Sequence, residues 1–144
     1  MLGNANSLCR LGSDSTFERR FAGSLQLQQD FRWRPAYGVL KANLLFLYNR
    51  AEEEQNQGAP FLLLIIEDCF IELCDENKIG KDFTFEIKFK TTGRSFVFAA
   101  EDFKSLGRWV SLLTISPMDY IQLSKQSFSE QIEQGQIRTL ETKQ

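Results

Sequence analysis

The sequence predicts an α+β fold that is mainly β, with seven short antiparallel strands closed at one end by a helix near the C-terminus. Two observations predict it. Phe83, Phe85, Ile87 and Phe89 alternate with Thr84, Glu86, Lys88 and Lys90, the two-residue period of a strand with one buried face. Soon afterwards Phe103, Leu106, Trp109, Val110 and Leu113 recur at three- and four-residue intervals, the apolar stripe of an amphipathic helix. With 144 residues, 42% of them hydrophobic and 25% charged, the chain is long enough for one domain with a real core. Thirteen phenylalanines make that core, or an interface, aromatic.

Residues 1–20 are polar and broken by Gly3 and Gly12, and read as a lead-in. Leu25 and Leu27 alternate with Ser24, Gln26 and Gln28 in a first strand, and Asp30 to Pro35 reads as a loop. Tyr37, Val39 and Lys41 alternate with Gly38 and Leu40 in a second strand, and after a break at Ala42-Asn43 a third runs from Leu44 to Tyr48. Arg50 to Pro60 carries Glu52, Glu53 and Glu54 together and reads as the longest loop, solvated throughout. Phe61 to Ile66 is an apolar run of strand length, Cys69 to Leu73 a fifth strand, and Asp75 to Lys81 a turn segment with Asn77 and Gly80. The strand from Phe83 then passes through Thr92-Gly93 into a seventh, Ser95 to Ala99.

Asp102 stands where the helix N-cap is expected, because a carboxylate accepts orphan backbone donors there and favours the positive end of the helix dipole. Trp109 is the residue expected to plug the sheet, and Gly107 is expected to let helix and sheet approach closely. Pro117 should kink or restart the helix, beyond which Met118, Ile121, Phe128 and Ile132 form a weaker stripe before a polar tail from Gln134. The stripe can pair with a second copy, giving a homodimer through the C-terminal helix. Lys125 and Gly135 interrupt it, however, and favour packing back on its own domain. The domain division read from this is 1–20 as lead-in, 21–116 as the folded domain and 117–144 as a helical extension and tail.

A net charge of −2 supplies no global field for nucleic acid, so any basic site must be local. Three cysteines show no metal-ligand spacing and are expected as buried, reduced thiols. With no histidine the usual general base is absent, as are most zinc and catalytic-triad arrangements. The acidic groups at Glu52–Glu54 and Glu67-Asp68 lie in loops and turns, where nothing raises a carboxylate into the general-acid range. No enzyme, cofactor, metal site or nucleotide site is expected. The start lacks the apolar core of a signal peptide and no run approaches about 18 apolar residues, so a cytoplasmic chain is expected.

From about Ala22 to Leu113 the order of seven strands and a Trp-bearing helix resembles pleckstrin homology (PH) domains, which are bent seven-stranded barrels capped by a C-terminal helix. Within them, the stretches Val39 to Phe46 and Ile65 to Leu73 are similar to those of the sesquipedalian family, as are Ala99-Ala100-Glu101, Trp109-Val110 and Asp119-Tyr120. That resemblance implies a membrane-trafficking adaptor, peripheral on early endosome and trans-Golgi membranes, which meets protein partners there and can dimerise. In that family, capture of an inositol-polyphosphate 5-phosphatase uses a downstream motif with an obligatory histidine. This sequence has no histidine, so the resemblance does not carry that function over to it.

The resemblance also implies a lipid site in which basic residues of the first two strands converge on inositol phosphates. Here it is eroded: Gln26 and Gln28 stand where Lys is expected and Ala36 where Arg is expected. The remaining candidates are Arg32, Arg34, Lys41 and Arg50, with Trp33 as a ring able to enter the membrane interface. Two or three basic residues, at about 1 kcal/mol each, give weak attachment only. Lys88 and Lys90, outward-facing with Thr84 and Glu86, could extend a basic patch toward Arg94. The reading that follows is an adaptor module acting mainly through protein partners, with weak phosphoinositide binding. Its alternatives are a specific phosphoinositide receptor and a phosphotyrosine-binding-like domain that accepts a peptide as an added strand beside the helix.

Overall fold

The computed structural model describes residues 8–14, 16–56 and 58–117. A short helix α1 (residues 8–11) precedes the strands β1 (Phe21–Gln29), β2 (Arg32–Lys41) and β3 (Leu44–Tyr48). Helix α2 (Ala51–Gln55) leads to β4 (Leu62–Ile65) and β5 (Cys69–Leu73), α3 (Glu76–Ile79) to β6 (Thr84–Phe89) and β7 (Ser95–Ala100), and α4 covers residues 103–117. The seven strands form one bent antiparallel sheet in the order β4-β3-β2-β1-β7-β6-β5, so β4 and β5 are its edges.

Alternation decides what is buried. Leu25 and Leu27 of β1, Leu45 and Leu47 of β3, Phe85 and Ile87 of β6 and Phe98 of β7 turn inward onto one cluster, which Leu106, Trp109 and Leu113 of α4 complete. The Trp109 ring is fully buried, meets Phe21 edge-on at 4.7 Å, and lies so close over Gly38 that a Cβ there would stand 3.0 Å from it. Glycine in mid-strand is thus the space the indole fills. Asp102 caps α4, its carboxylate accepting the Ser105 N–H at 2.7 Å.

Several sequence expectations are corrected. The loop expected over Asp30 to Pro35 is only the two residues Asp30 and Phe31, because Gln29 pairs directly with Arg32. Pro35 is tolerated inside β2 because β3 reaches β2 only from Tyr37 onward, leaving no neighbour to need the missing N–H. The solvated loop after Arg50 contains α2, whose Glu54 is buried against Arg19 at 2.9 Å. Thr84, expected outward, is buried with its hydroxyl on the Lys81 carbonyl. Cys9, Cys69 and Cys74 are free but half-buried rather than buried, and burial pushes the thiols of Cys69 and Cys74 up.

Two corrections concern α4. Phe103 is 78% exposed, since at 3.6 residues per turn it lies roughly 120° around the helix from Trp109, and buried Ser116 continues the stripe instead. Gly107 is exposed, and a Cβ there would meet nothing within 4 Å, so it makes no close approach to the sheet. The expected restart after Pro117, the stripe from Met118 to Ile132 and the dimer it could form lie outside the described residues.

The largest departure is at residues 8–20. Leu8, Leu11 and Phe17 pack on Val39, Leu44, Phe46 and Tyr48, a second cluster on the outer face of β2 and β3. β3 and the end of β2 from Gly38 to Lys41 are buried on both faces, which explains why Leu44 to Tyr48 is apolar without alternation. Gly12 is required by the contact: a Cβ would collide with the Tyr48 hydroxyl and the Phe46 ring.

Candidate functional site

The tip of the β1–β2 hairpin is an exposed rim of the sheet and holds Arg32, Trp33 and Arg34, three of the five residues expected to meet lipid. Asp30 and Phe31 both have positive φ (50° and 65°), the geometry of a tight two-residue hairpin turn. Aspartate tolerates this region, whereas a bulky side chain is strained in it. Phe31 is nevertheless 100% exposed at the tip, so neither packing nor turn chemistry accounts for it. Sequence reasoning missed Phe31, since a six-residue loop would have made it one loop residue among several.

Strand parity sorts the neighbours. Leu27 pairs with Arg34 and Gln29 with Arg32, so both arginines lie on the face that continues the core, while Trp33 lies on the opposite face. Arg32 is exposed. The Arg34 guanidinium is already engaged, lying 3.5 Å from the Phe61 ring centre and donating to Asn49 Oδ1 at 2.7 Å. On the other face the Lys81 ammonium sits 5.5 Å from the Trp33 ring. Lys81, on the segment after α3, was not singled out from the sequence because no local pattern places it beside β2.

Lys41 is removed from the candidate set. It is 3% exposed, and its ammonium donates to the carbonyls of Leu11 (3.1 Å) and Asp14 (2.9 Å) in the covering segment. Burial lowers its pKa, with Glu54 and Asp14 acting in the opposite direction. Arg50 is exposed just before α2 and lines an open cleft of roughly 600 Å3 with Ser24, Gln26, Tyr37 and Lys81. Asp82 and Glu101 line the same cleft, so its cations are offset by carboxylates. The patch sought between Lys88, Lys90 and Arg94 is broken up: Lys90 lies 4.5 Å from the Phe70 ring and Arg94 5.1 Å from that of Phe96.

Among the described residues no cluster of His, Cys, Asp and Glu could hold a metal ion, and no helix is long and apolar enough to cross a membrane.

The comparisons agree with this geometry. The family model described as PH domain matches residues 17–116. Human Sesquipedalian-1 is 30% identical over 95 residues, covering 65% of this chain and 35% of that protein. Human Sesquipedalian-2 is 32% identical over 101 residues, covering 69% and 37%. The match thus spans little more than a third of these relatives' length. Among solved structures, the Slm1 PH domain in complex with phosphoserine is 25% identical with a TM-score of 0.58, covering 69% of this chain and 96% of that one. The PH domain of human oxysterol binding protein-related protein 11 is 27% identical with a TM-score of 0.57, covering 72% and 82%.

Proposed function

The chain belongs to the PH domain family, and from that premise we propose that it is a non-catalytic adaptor module of endosomal and trans-Golgi membrane trafficking. It is held there mainly by protein partners, and the β1–β2 hairpin adds a weak contact with phosphoinositide-bearing membrane. The likeness to the sesquipedalians supports the adaptor role, and the Slm1 domain, solved with phosphoserine and with inositol 4-phosphate, supports a phosphate-reading rim.

The observation that carries the reading is the composition of the hairpin tip. Burying the Phe31 ring in the membrane interface contributes about 2 kcal/mol. Arg32, with one further cation from Arg50 or Lys81, adds about 1 kcal/mol each near an anionic surface. Roughly 4 kcal/mol corresponds to near-millimolar attachment. That is enough to orient a protein already delivered by a partner and too little to recruit it alone.

Flotation with vesicles of phosphatidylcholine containing about 5% of a single phosphoinositide tests this. Weak, salt-sensitive binding is expected, reduced several-fold in Phe31→Asp and in Arg32→Glu. Micromolar binding to one headgroup, lost in Arg32→Glu together with Arg34→Glu, would make the domain a specific lipid receptor instead. Binding by the wild type that Phe31→Asp leaves unchanged would remove the ring from the membrane contact.

A further inference from the structure

The covering segment carries chemistry that neither the core nor the membrane reading uses. Residues 8–14 precede the part of the chain that the PH family model matches, so this half of the cover is an addition to the family pattern. α1 ends in a turn in which the N–H groups of Gly12, Ser13 and Asp14 donate to the carbonyls of Cys9, Arg10 and Leu11 at 3.3, 3.2 and 3.3 Å. The Ser13 hydroxyl is sealed from solvent beside that of Tyr48, and neither makes a well-formed hydrogen bond. A buried hydroxyl in that state costs stability, so packing does not explain a serine at this position.

The residues around Ser13 supply a reason. Arg10 stands three positions before it, Leu8 five before and Phe17 four after. Arginine-directed serine kinases seat such an arginine on carboxylates of their substrate groove, and one branch of them adds apolar pockets at those two outer positions. Arg10 is exposed, whereas Leu8 and Phe17 are side chains that hold the cover on Val39, Leu44, Phe46 and Tyr48. The same two residues thus serve either the sheet or a kinase groove, never both at once. The closed cover also has no place for a phosphate. The pocket beside Ser13 is lined by Arg19 and Lys41 but equally by Glu18 and Glu54. Arg19 is held by Glu54 at 2.9 Å, and the Lys41 ammonium by the Leu11 and Asp14 carbonyls at 3.1 and 2.9 Å. A group of about two negative charges there meets as many carboxylates as cations and loses its water.

We propose that Ser13 is a phosphorylation site for an arginine-directed serine kinase, and that its phosphate holds the covering segment off the outer face of β2 and β3. The hold on the sheet is Leu8, Leu11, Phe17 and the contacts of Lys41 and Arg19, few enough for the segment to open locally. In the open state the Ser13 hydroxyl attacks the γ-phosphorus of magnesium-bound ATP, its proton passes to the catalytic aspartate of the kinase, and ADP leaves. The added charge then blocks reclosure, and the Lys41 ammonium, without the Leu11 and Asp14 carbonyls, returns to solvent as a cation. The switch is independent of the hairpin tip.

The test incubates the 144-residue protein, and separately a synthetic peptide of residues 6–19, with magnesium ATP and the catalytic domain of the AMP-activated protein kinase, which reads this spacing. Tandem mass spectrometry should place one phosphate on Ser13 in both, the folded protein reacting about tenfold more slowly because its cover must open first. Lys41→Met lies outside the recognised stretch and loosens the cover, so it should bring the protein's rate toward that of the peptide. Trypsin should cut the phosphoprotein after Arg19 several-fold faster than the unmodified protein, and a phosphatase should restore the resistance. Should Lys41→Met unfold, the trypsin comparison still decides. A peptide that stays unmodified, a phosphate on another residue in place of Ser13, or a protein that never reacts while the peptide does overturns the proposal. So do equal rates for protein and peptide, which would mean that the cover does not seal the serine. A phosphoprotein as resistant to trypsin as the unmodified one would mean that Arg19 and Lys41 receive the phosphate within a closed cover, and overturns it equally.

Discussion

The two halves of the sheet are built on opposite plans. In β3 and the end of β2 the outer face is as buried as the inner one, because Leu8, Leu11 and Phe17 lie across Val39, Leu44, Phe46 and Tyr48. In β5 and β6 the outer face carries exposed Phe70, Glu72 and Lys88. Both halves share the inner cluster, which the bent sheet wraps around Trp109. Burial on two sides withdraws Lys41 from solution. Burial on one side leaves the second half with surface to offer.

The harshest way to break the comparison is to remove what the halves share. Trp109→Ala empties the centre of the inner cluster and should cost about 3–5 kcal/mol, as large aromatic truncations do. For a chain of this size that lowers the melting midpoint by roughly 10 °C or more, and both halves should lose exchange protection together. A midpoint within a degree of wild type would show that the halves do not depend on the indole.

A narrower break strikes the covered half alone. Lys41→Met keeps the length of the side chain but leaves the Leu11 and Asp14 carbonyls without its ammonium, and should cost about 1–3 kcal/mol. Gly12→Val drives a branched side chain into Tyr48 and should lift the covering segment off directly. Limited proteolysis ought then to cut at Arg10 or Arg19 while β5 to β7 keep their amide protection. Loss of protection throughout the sheet would mean that the cover is part of the core and not an addition to it.

The same contrast explains what was legible in the sequence. Period-two alternation reveals a strand buried on one face, so β6 and β7 stood out and the element count followed. It says nothing about what covers a strand buried on both faces. Leu44 to Tyr48 read correctly as a strand, yet the residues that cover its outer face, Leu8 and Leu11, sit more than thirty residues away behind a polar lead-in. Lys41 misled for the same reason: lysine in a strand usually reaches solvent, and only the carbonyls of that distant segment retain it. The hairpin was misread because Arg32 and Arg34 occupy inward-facing positions, so parity looked broken where it in fact continued. Trp109 and Asp102 were legible because a helix stripe and its cap are local signals. Lys81 beside Trp33, and Glu72 opposite Glu86, arise only from pairing.

The smallest effects lie in α4, which both halves pack against. The Ser105 N–H holds the Asp102 carboxyl below the ordinary aspartate range. Its stabilisation is therefore present above that range and lost as pH falls through the lowered value. Asp102→Ala should melt below wild type at pH 7, with the gap closing in the acid window below about 4; a gap that persists at pH 2 would make the cap a matter of packing rather than charge. Gly107→Ala has the opposite sign. The sequence suggested a glycine kept for close approach, where alanine would clash, but the position is exposed and open. Alanine there replaces a flexible residue inside a helix and should raise stability by up to about 1 kcal/mol, or a few degrees in the midpoint. A lowered midpoint would mean that α4 sits closer to the sheet in solution.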